Sequence, residues 1–264
     1  MTLRPVPRGR DDQPLLRLVK PVRTFDEVVI AADTRAVLLA VIEESLRRGA
    51  LLDHGLRPRQ RLLLLGPPGT GKSVSAHAIA AELSLPIAVA SLAALTSSFL
   101  GETARNIEAV IRFAEQVPCV LLFDEFDVLG QERSQTGDHG ELRRVAATVL
   151  QLLEDVRGES LVVATSNHPE LVDSALWRRF DEIVTFGVLD VHQVVELIEL
   201  RLRSMGRTFD VEDWGAQMQE FSPAEIELAC FDALRGAVLA DGVLTEQVFE
   251  AAVTRMRVRR GATP

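Results

Sequence analysis

The chain has 264 residues, enough for one compact domain or for a large lobe with a small one. Its formal net charge of −9 disfavours a nucleic-acid binder, because binding to a duplex is driven largely by cationic neutralisation of phosphates. No apolar run approaches the roughly 20 residues that span a bilayer, and the N-terminus lacks the apolar segment of a secretory signal, so we expect a soluble, cytoplasmic protein.

Cysteine and histidine usage gives no indication of a disulfide framework or of a zinc site. The two cysteines, Cys119 and Cys230, lie among apolar residues, and we expect both to be buried as small hydrophobic side chains. The five histidines form no cluster at metal-ligand spacing.

Both ends of the chain carry arginines despite the acidic total. They are either solvated tails or a docking segment for an acidic partner. The residues concerned are Arg4, Arg8 and Arg10 at the start, and Arg255, Arg257, Arg259 and Arg260 at the end.

Taken in chain order, the predicted elements begin with a proline- and arginine-rich segment, residues 1–20, which we expect to be irregular. Apolar strands then alternate with helices, which predicts an α/β fold with a five-stranded parallel sheet covered on both faces. The predicted strands are Arg61–Leu65, Ile87–Ser91, Cys119–Asp124, Ser160–Thr165 and Glu182–Phe186. The predicted helices are 34–48, Ser73–Leu83, Glu102–Glu115, Glu141–Asp155 and a short one near His168–Trp177.

After Phe186 the sequence shows only helical periodicity. Ser222 and Glu225 form a capping-box pattern with Pro223 at the first helical position, so a helix should begin there. With a boundary near Gly187, we expect three parts. These are an irregular N-terminal segment (1–20), a large α/β lobe (21–187) and a small all-helical lobe (188–264).

The most specific motif is the phosphate-loop pattern G-x-x-x-x-G-K-(S/T), which runs from Gly66 to Ser73 directly after the apolar run Leu62–Leu65. A strand, a glycine-rich loop and a helix start together aim backbone N–H groups at one point, which suits a di- or triphosphate. Lys72 would reach the β- and γ-phosphates, and the Ser73 hydroxyl would bind Mg²⁺. The alternative is a flexible loop without a ligand.

Two carboxylates end the next strongly apolar strand. Asp124 would hold Mg²⁺, directly or through water, and Glu125 would orient and polarise the attacking water. The alternative is a strand end that meets solvent. At the end of a neighbouring strand, Asn167 could hydrogen-bond the γ-phosphate or the lytic water, or it could cap the helix that follows.

Two further segments suggest contacts with other molecules. Arg178 and Arg179 precede the fifth predicted strand and suit a phosphate bound to a neighbouring subunit; the alternative is an Asp/Arg surface pair. The tip Phe99-Leu100-Gly101 is either a contact surface or a core contact of Phe99.

With these residues in place, the chain resembles the AAA-proper clade of AAA+ ATPases, and its small stand-alone bacterial members, from Phe25 to about Met256. Gly66–Ser73 resembles the Walker A motif and Leu121–Glu125 the Walker B motif. The remaining matches are Asn167 at sensor 1, Arg178 and Arg179 as arginine fingers, Phe99-Leu100-Gly101 as the first pore loop, Ser134–Gly140 at the second pore loop, Phe25–Val28 as the segment beside adenine, and Phe221–Ile226 at sensor 2.

The resemblance implies an ATPase whose parallel sheet and helical lid hold ATP and Mg²⁺, and which forms a hexameric ring. Catalytic roles would fall to Glu125, Asp124, Lys72, Asn167, Arg178 and Arg179, and metal binding to Ser73 and Asp124. Nucleotide contacts would come from Pro67, Pro68, Gly69, Thr70, Gly71, Lys72, Ser73, Val74, Val28, Leu197, Arg201 and Ala224.

The same resemblance implies that hydrolysis drives threading or remodelling of a protein client gripped by Phe99, Leu100 and Gly101. Because no folded N-terminal domain is evident, we expect a separate partner protein, or the short tails, to supply the client. Three segments depart from the family pattern: Pro223 replaces a glycine and removes one N–H near the phosphates, Val28–Ile30 lacks a glycine, and Phe99-Leu100 replaces Tyr-Val.

Two other functions use the same phosphate loop. A nucleic-acid helper ATPase of the loader or transposition type is disfavoured by the acidic charge. A nucleotide-dependent scaffold or switch would turn ATP over slowly and would not need Phe99.

Overall fold

The computed structural model describes residues 5–10, 12–95, 100–126, 152, 158–168, 178–240 and 242–262. Contacts divide the chain into two units. The α/β unit comprises Met1–Phe25, Asp33–Pro67 and Lys72–Thr185, and the helical unit comprises Asp26–Ala32, Pro68–Gly71 and Phe186–Pro264. Two short segments from the first part of the chain therefore pack with the C-terminal helices.

The α/β unit is built on a six-stranded sheet in the order β1-β3-β4-β5-β2-β6. Five strands pair in parallel, as the alternation of strands and helices predicts, and β1 pairs antiparallel with β3. The central strands are almost wholly apolar because both faces of a parallel sheet are covered. The strands are β1 (Leu16–Val19), β2 (Arg61–Leu65), β3 (Ile87–Ala90), β4 (Val120–Phe123), β5 (Leu161–Ser166) and β6 (Glu182–Thr185).

The prediction of an irregular segment over residues 1–20 is wrong at β1. Leu15 and Leu16 are completely or almost completely buried, at 0% and 1% exposure, and join the core of the unit. The carbonyl of Leu15 accepts a hydrogen bond from the backbone N–H of Ser91, at 2.9 Å. Burial of two leucines and the ladder along β3 thus outweigh the composition of the flanking residues, and the sheet gains a sixth strand at its edge.

Helices in the first part of the chain follow the predicted pattern with small shifts at their ends. Two short helices, Arg48–Asp53 and Leu92–Leu95, were not predicted. A 3-10 helix covers Phe25–Glu27, and the α-helices are α1 (Ala32–Leu46), α2 (Arg48–Asp53), α3 (Lys72–Glu82), α4 (Leu92–Leu95) and α5 (Leu100–Gln116). Ser134–Gly140 lies outside the described residues, as do the helix predicted at Glu141–Asp155, apart from Leu152, and the one near His168–Trp177, apart from His168.

The helical unit contains four described α-helices: α6 (Val191–Leu202), α7 (Glu212–Gln217), α8 (Pro223–Leu239) and α9 (Glu246–Ala262). The predicted capping box is present at α8, where the Ser222 hydroxyl accepts from the N–H of Glu225 and the Glu225 carboxylate accepts from the N–H of Ser222. The core of the unit includes Trp214 and Phe249, whose rings meet edge to face at 5.0 Å.

Both cysteines are free and buried, as predicted. Burial raises the pKa of the Cys119 thiol and raises that of Cys230 to about 12, so each is a neutral side chain at physiological pH. In the described part of the chain, no helix is both long enough and apolar enough to cross a bilayer.

Candidate nucleotide-hydrolysis site

Three adjacent strands bring the predicted phosphate-handling residues to one edge of the sheet. β5 lies between β2 and β4, with Leu65 paired to Ser166 and Phe123 paired to Ala164. The N–H of Gly66 donates to the carbonyl of Ser166 at 3.2 Å, which joins the first residue of the glycine loop to the end of β5. Because parallel strands end at the same edge, the residues that follow them meet there.

Lys72 is buried, with 6% of its surface exposed, and its ammonium group is fully engaged. The Nζ atom donates to the carbonyls of Gly66 and Pro67, at 2.6 and 2.8 Å, and to Oδ1 of Asn167 at 2.8 Å. A buried cation needs such acceptors, because its desolvation would otherwise be costly. The structure therefore brings Lys72 and Asn167 together, 95 residues apart in the chain.

Ser73 and Asp124 also meet. The Ser73 hydroxyl donates to Oδ1 of Asp124 at 2.7 Å. A hydroxyl and a carboxylate are hard oxygen ligands, which fit Mg²⁺, and Mg²⁺ commonly takes only one or two protein ligands beside phosphate oxygens and water. Among the described residues there is no group of three or more His, Cys, Asp or Glu side chains that could hold a metal by themselves.

Thr165, which sequence reasoning did not single out, bridges the two carboxylate-bearing residues. Its hydroxyl donates to Oδ1 of Asp124 at 2.6 Å and accepts from the backbone N–H of Glu125 at 3.0 Å. Glu125 itself is exposed and has a left-handed backbone with φ of 55°. The signal in the sequence was the pair of hydroxyl residues, Thr165 and Ser166, that ends an otherwise apolar strand.

The tip of the glycine loop packs within the helical unit. Gly69 has φ of 77°, and its carbonyl accepts a hydrogen bond from the N–H of Ala224 at 3.1 Å. A Cβ atom at Gly69 would lie 3.0 Å from the Ser222 hydroxyl and 3.1 Å from the Cβ of Ala224. Both the backbone conformation and the close approach therefore require glycine here. Elsewhere in the motif, Pro67, Pro68 and Gly69 are exposed, Thr70 is buried, and Gly71 and Val74 are half-buried.

The departure at Pro223 is accommodated at the first position of α8. An N–H at that position has no partner inside the helix, so proline costs the helix no hydrogen bond. The next N–H, from Ala224, is the one that binds the carbonyl of Gly69.

The predicted adenine segment is held by Arg201. This side chain is only 9% exposed; its guanidinium donates to the carbonyl of Glu27 at 2.7 Å and pairs with Glu227 at 2.8 Å. The departing stretch Val28–Ile30 is buried, and the carbonyl of Ile30 accepts from the Gln193 side chain at 3.4 Å. Leu197 lies in the core of the helical unit.

Arg178 and Arg179 lie close in the chain to the start of β6, whose partner strand is β2. They precede β6 at the edge where strands begin, and the N–H of Asp181 donates to the carbonyl of Arg61, the first residue of β2. The glycine loop follows Leu65, the last residue of β2. The rise along β2 therefore separates Arg61 from the start of the loop by about 13 Å. Arg178 is exposed and Arg179 half-buried.

Asp181 fixes this arginine segment to β2. Its carboxylate accepts from the backbone N–H groups of Gln60 and Arg61 and from the guanidinium of Arg61. Burial acts to raise the pKa of Asp181, but the hydrogen bonds from Arg61 and Gln60 outweigh it and the pKa lies below its usual value. The Asp/Arg pair seen here thus involves Arg61.

The remaining candidates divide into those that the structure describes and those outside it. Phe99 lies outside the described residues, and Leu100 and Gly101 are the first residues of α5.

Near the C-terminus, Arg255 pairs with Asp232 at 2.7 Å and Arg260 with Glu220 at 3.8 Å. These partners in the same chain favour a solvated surface over a docking segment.

Comparison with known proteins identifies an ATPase family. The model of a family described as "ATPase family associated with various cellular activities (AAA)" matches residues 62–188. An uncharacterized AAA family ATPase, y4kL of Sinorhizobium fredii, is 35% identical over 235 residues, which cover 89% of this chain and 71% of the relative.

Longer eukaryotic proteins match as well. The peroxisomal ATPase pex6 of Schizosaccharomyces pombe is 30% identical over 234 residues, covering 83% of this chain and 24% of the relative. The peroxisomal ATPase PEX6 of Arabidopsis thaliana is 31% identical over 222 residues, covering 79% and 23%. The chain therefore spans about a quarter of the length of these two relatives.

Asp181→Asn should destabilise the α/β unit in a pH-dependent way. A carboxylate whose pKa is depressed in the folded state contributes stability above its unfolded pKa and loses it as pH falls through the folded pKa. At pH 7 we expect the variant to lose about 1–2 kcal/mol in the free energy of unfolding. The difference from the parent should narrow below about pH 4. Urea-induced unfolding of the variant and the parent at a series of pH values measures this difference in the free energy of unfolding.

Asp53→Asn, at an exposed aspartate that ends α2, is the matched control and should follow the parent at every pH. A constant difference between Asp181→Asn and the parent down to the lowest pH would contradict the assigned charge pair.

Proposed function

Because the chain belongs to the AAA family of ATPases, we propose that it couples Mg²⁺-dependent ATP hydrolysis to the remodelling of a protein client in a hexameric ring. The observation that carries the proposal is the hydrogen-bonded cluster in which Lys72 meets Asn167 and Ser73 meets Asp124. This arrangement supports a site that binds phosphate and a divalent cation side by side.

Phosphate binding falls to the loop and to Lys72. We propose that a phosphate oxygen replaces one of the acceptors that the Lys72 ammonium now holds, so that the charge is neutralised without leaving a buried cation unpaired. Backbone N–H groups of the loop add donors. The proposed loop contacts are Pro67, Pro68, Gly69, Thr70, Gly71, Ser73 and Val74.

Metal binding falls to Ser73 and Asp124, whose oxygens are of the type that Mg²⁺ prefers. When bound, Mg²⁺ would offset the negative charge that builds on the phosphate oxygens. In this proposal Ser73 and Asp124 keep a fixed separation before the metal arrives, because they already share a hydrogen bond.

Glu125 is the proposed catalytic carboxylate. Its side chain is exposed at the strand-ending edge, one residue beyond the metal-binding Asp124, so it can accept a hydrogen bond from the attacking water and polarise it. The Oδ1 atom of Asn167 accepts a hydrogen bond from Lys72, and we propose that its amide N–H donates to the γ-phosphate or to that water.

On the nucleoside side, we propose that Val28 and Ala224 contact the nucleotide. The contacts of Arg201 with Glu27 and Glu227 favour a supporting role in which it holds the segment that carries Val28. Leu197, buried in the helical core, would support α6 in the same way.

The position of Arg178 and Arg179 supports a ring. They directly precede β6, whose first residue pairs with the beginning of β2, whereas the glycine loop follows the end of β2. We therefore propose that they contact the phosphates of a neighbouring copy. A contact between one face of a subunit and a different face of the next subunit is head-to-tail, and repeated head-to-tail contacts form a ring when the rotation between subunits closes. Six copies follow from the family resemblance.

Client remodelling is proposed from the tip Phe99-Leu100-Gly101, which precedes and begins α5. An apolar tip can grip an extended polypeptide without reading its sequence. We assign client choice to a separate partner protein. The proposed place of action is the cytoplasm.

Glu125→Gln should lower ATP turnover by about 100-fold or more, because an amide cannot accept the proton of water. ATP binding should persist, whereas Lys72→Ala should lose binding as well. Phosphate release and binding of a fluorescent ATP analogue measure the two effects. Glu108→Gln, at an exposed glutamate of α5 that pairs with Arg112, is the control. Turnover by Glu125→Gln at the parental rate would exclude Glu125 as the catalytic carboxylate.

Complementation between subunits tests the ring. Lys72→Ala alone and the double variant Arg178→Ala/Arg179→Ala alone should both be inactive. Co-expressed in equal amounts, they should recover activity, because about a quarter of the sites in a random ring join an intact loop to intact arginines. No recovery in co-purified mixed rings, or full activity of the arginine variant alone, would refute the shared site.

Phe99→Ala should abolish stimulation of the ATPase by a permanently unfolded protein while leaving ATP binding intact. Leu46→Ala, at an exposed leucine of α1, is the control. Stimulation that survives Phe99→Ala would refute threading. Stimulation by duplex DNA with steep salt dependence would favour the nucleic-acid helper instead. Slow ATP turnover that neither the unfolded protein nor duplex DNA changes would favour the nucleotide-dependent scaffold.

A further inference from the structure

Thr165 occupies a position where a hydroxyl needs an explanation. It is 1% exposed, near the end of β5, and the four strand residues before it, Leu161–Ala164, are apolar and buried. Valine would suit this environment equally well by shape and by strand preference. A buried hydroxyl is tolerated when its hydrogen bonds are made, and here one bond is donated and one is accepted.

The two bonds of Thr165 reach the two carboxylate residues of the site. Oδ1 of Asp124 accepts from Thr165 at 2.6 Å and from Ser73 at 2.7 Å, so two hydroxyls on different elements define the orientation of this carboxylate. Ser73 lies in the first turn of α3, directly after the glycine loop, and belongs to the proposed metal site. Thr165 belongs to the sheet, so its contact does not depend on the loop.

The second bond bears on the backbone of Glu125. A non-glycine residue with φ of 55° is in the left-handed region, which is unfavourable for an L-residue because its Cβ atom approaches the following carbonyl oxygen. The hydrogen bond from the Glu125 N–H to the Thr165 hydroxyl offsets part of that cost and holds the turn. Because the Glu125 side chain is exposed, this backbone turn decides the direction in which its carboxylate leaves the sheet.

We propose that Thr165 is a positioning residue for ATP hydrolysis, whose hydroxyl fixes both the Asp124 carboxylate and the left-handed turn that carries Glu125. This inference rests on the proposed roles of Asp124 and Glu125. It adds a residue that acts through them and touches neither phosphate nor water itself.

The test compares Thr165→Val, which keeps the shape and removes the hydroxyl, with Thr165→Ser, which keeps the hydroxyl. Thr165→Val should lower kcat by about tenfold or more and change KM for ATP by less than about threefold, since positioning of the reacting groups is lost and phosphate binding is kept. Thr165→Ser should recover kcat to within about threefold of the parent. Thr34→Val, at another buried threonine of the α/β unit, is the matched control.

A second readout does not depend on turnover. In the protein without nucleotide, the Glu125 amide should exchange its hydrogen about tenfold faster in Thr165→Val than in the parent, while amides in the middle of β5 keep their rates. If Thr165→Val does not fold, Thr165→Ala, which adds no apolar bulk, is measured in the same ways.

The outcomes separate this inference from the function on which it rests. If the parent hydrolyses ATP and Glu125→Gln does not, parental kcat in Thr165→Val overturns the inference alone. Faster exchange throughout β5, or an equal loss in Thr165→Ser, shows a structural role and also overturns it. If the parent does not hydrolyse ATP, or Glu125→Gln is as active as the parent, the proposed site and the positioning role fail together.

Discussion

The parallel pairing of β5 between β2 and β4 is the constraint on which the proposed catalytic edge depends. One register places Ser166 opposite Leu65, and the other places Ala164 opposite Phe123. A slip of β5 by one residue would turn Thr165 away from the face that Asp124 occupies. The same slip would move Asn167, which follows β5, so the buried ammonium of Lys72 would lose its hydrogen bond to the Asn167 side-chain amide. Leaving such groups unpaired costs more than an ordinary hydrogen bond contributes, so the apolar register and the polar site specify each other.

The sequence predicted the parts of the site that are local in the chain. The glycine loop, the carboxylates after β4 and Asn167 all follow apolar runs, and the rule that parallel strands end at one edge brings them together. Thr165 could not be assigned in this way, because its role requires knowing that β4 and β5 are neighbours with a particular register. The pair of Asp181 and Arg61 joins residues 120 apart. Two residues so far apart in the chain form no motif that can be recognised in the local sequence. At β1, the apolar run Leu15–Val19 is interrupted by Arg17 and is short beside the proline- and arginine-rich residues around it, so it was missed.

Within the helical unit, local rules explain a departure that the family pattern alone made doubtful. Proline at position 223 replaces a glycine, yet the first position of a helix is where proline loses nothing. The Ser222–Glu225 capping box and the bond from Ala224 to Gly69 then satisfy the neighbouring N–H groups. Helix α8 therefore begins at the same residues that hold the glycine loop tip. The sequence predicted the start of the helix. It did not predict that the backbone N–H of Ala224 would donate to the carbonyl of Gly69 in the glycine loop.

A row of three aromatic rings runs through the α/β unit beside both functional segments. Phe126 meets Phe123 at 6.2 Å and Phe180 at 6.5 Å, each edge to face. Glu125 lies between the first two in sequence, and Arg178 and Arg179 directly precede the third. Edge-to-face packing tolerates little change in ring size. Variation at any one ring would shift either the catalytic turn or the arginine segment. We therefore expect the three positions to diversify jointly, so that the turn at Glu125 and the segment of Arg178 and Arg179 are inherited as one block.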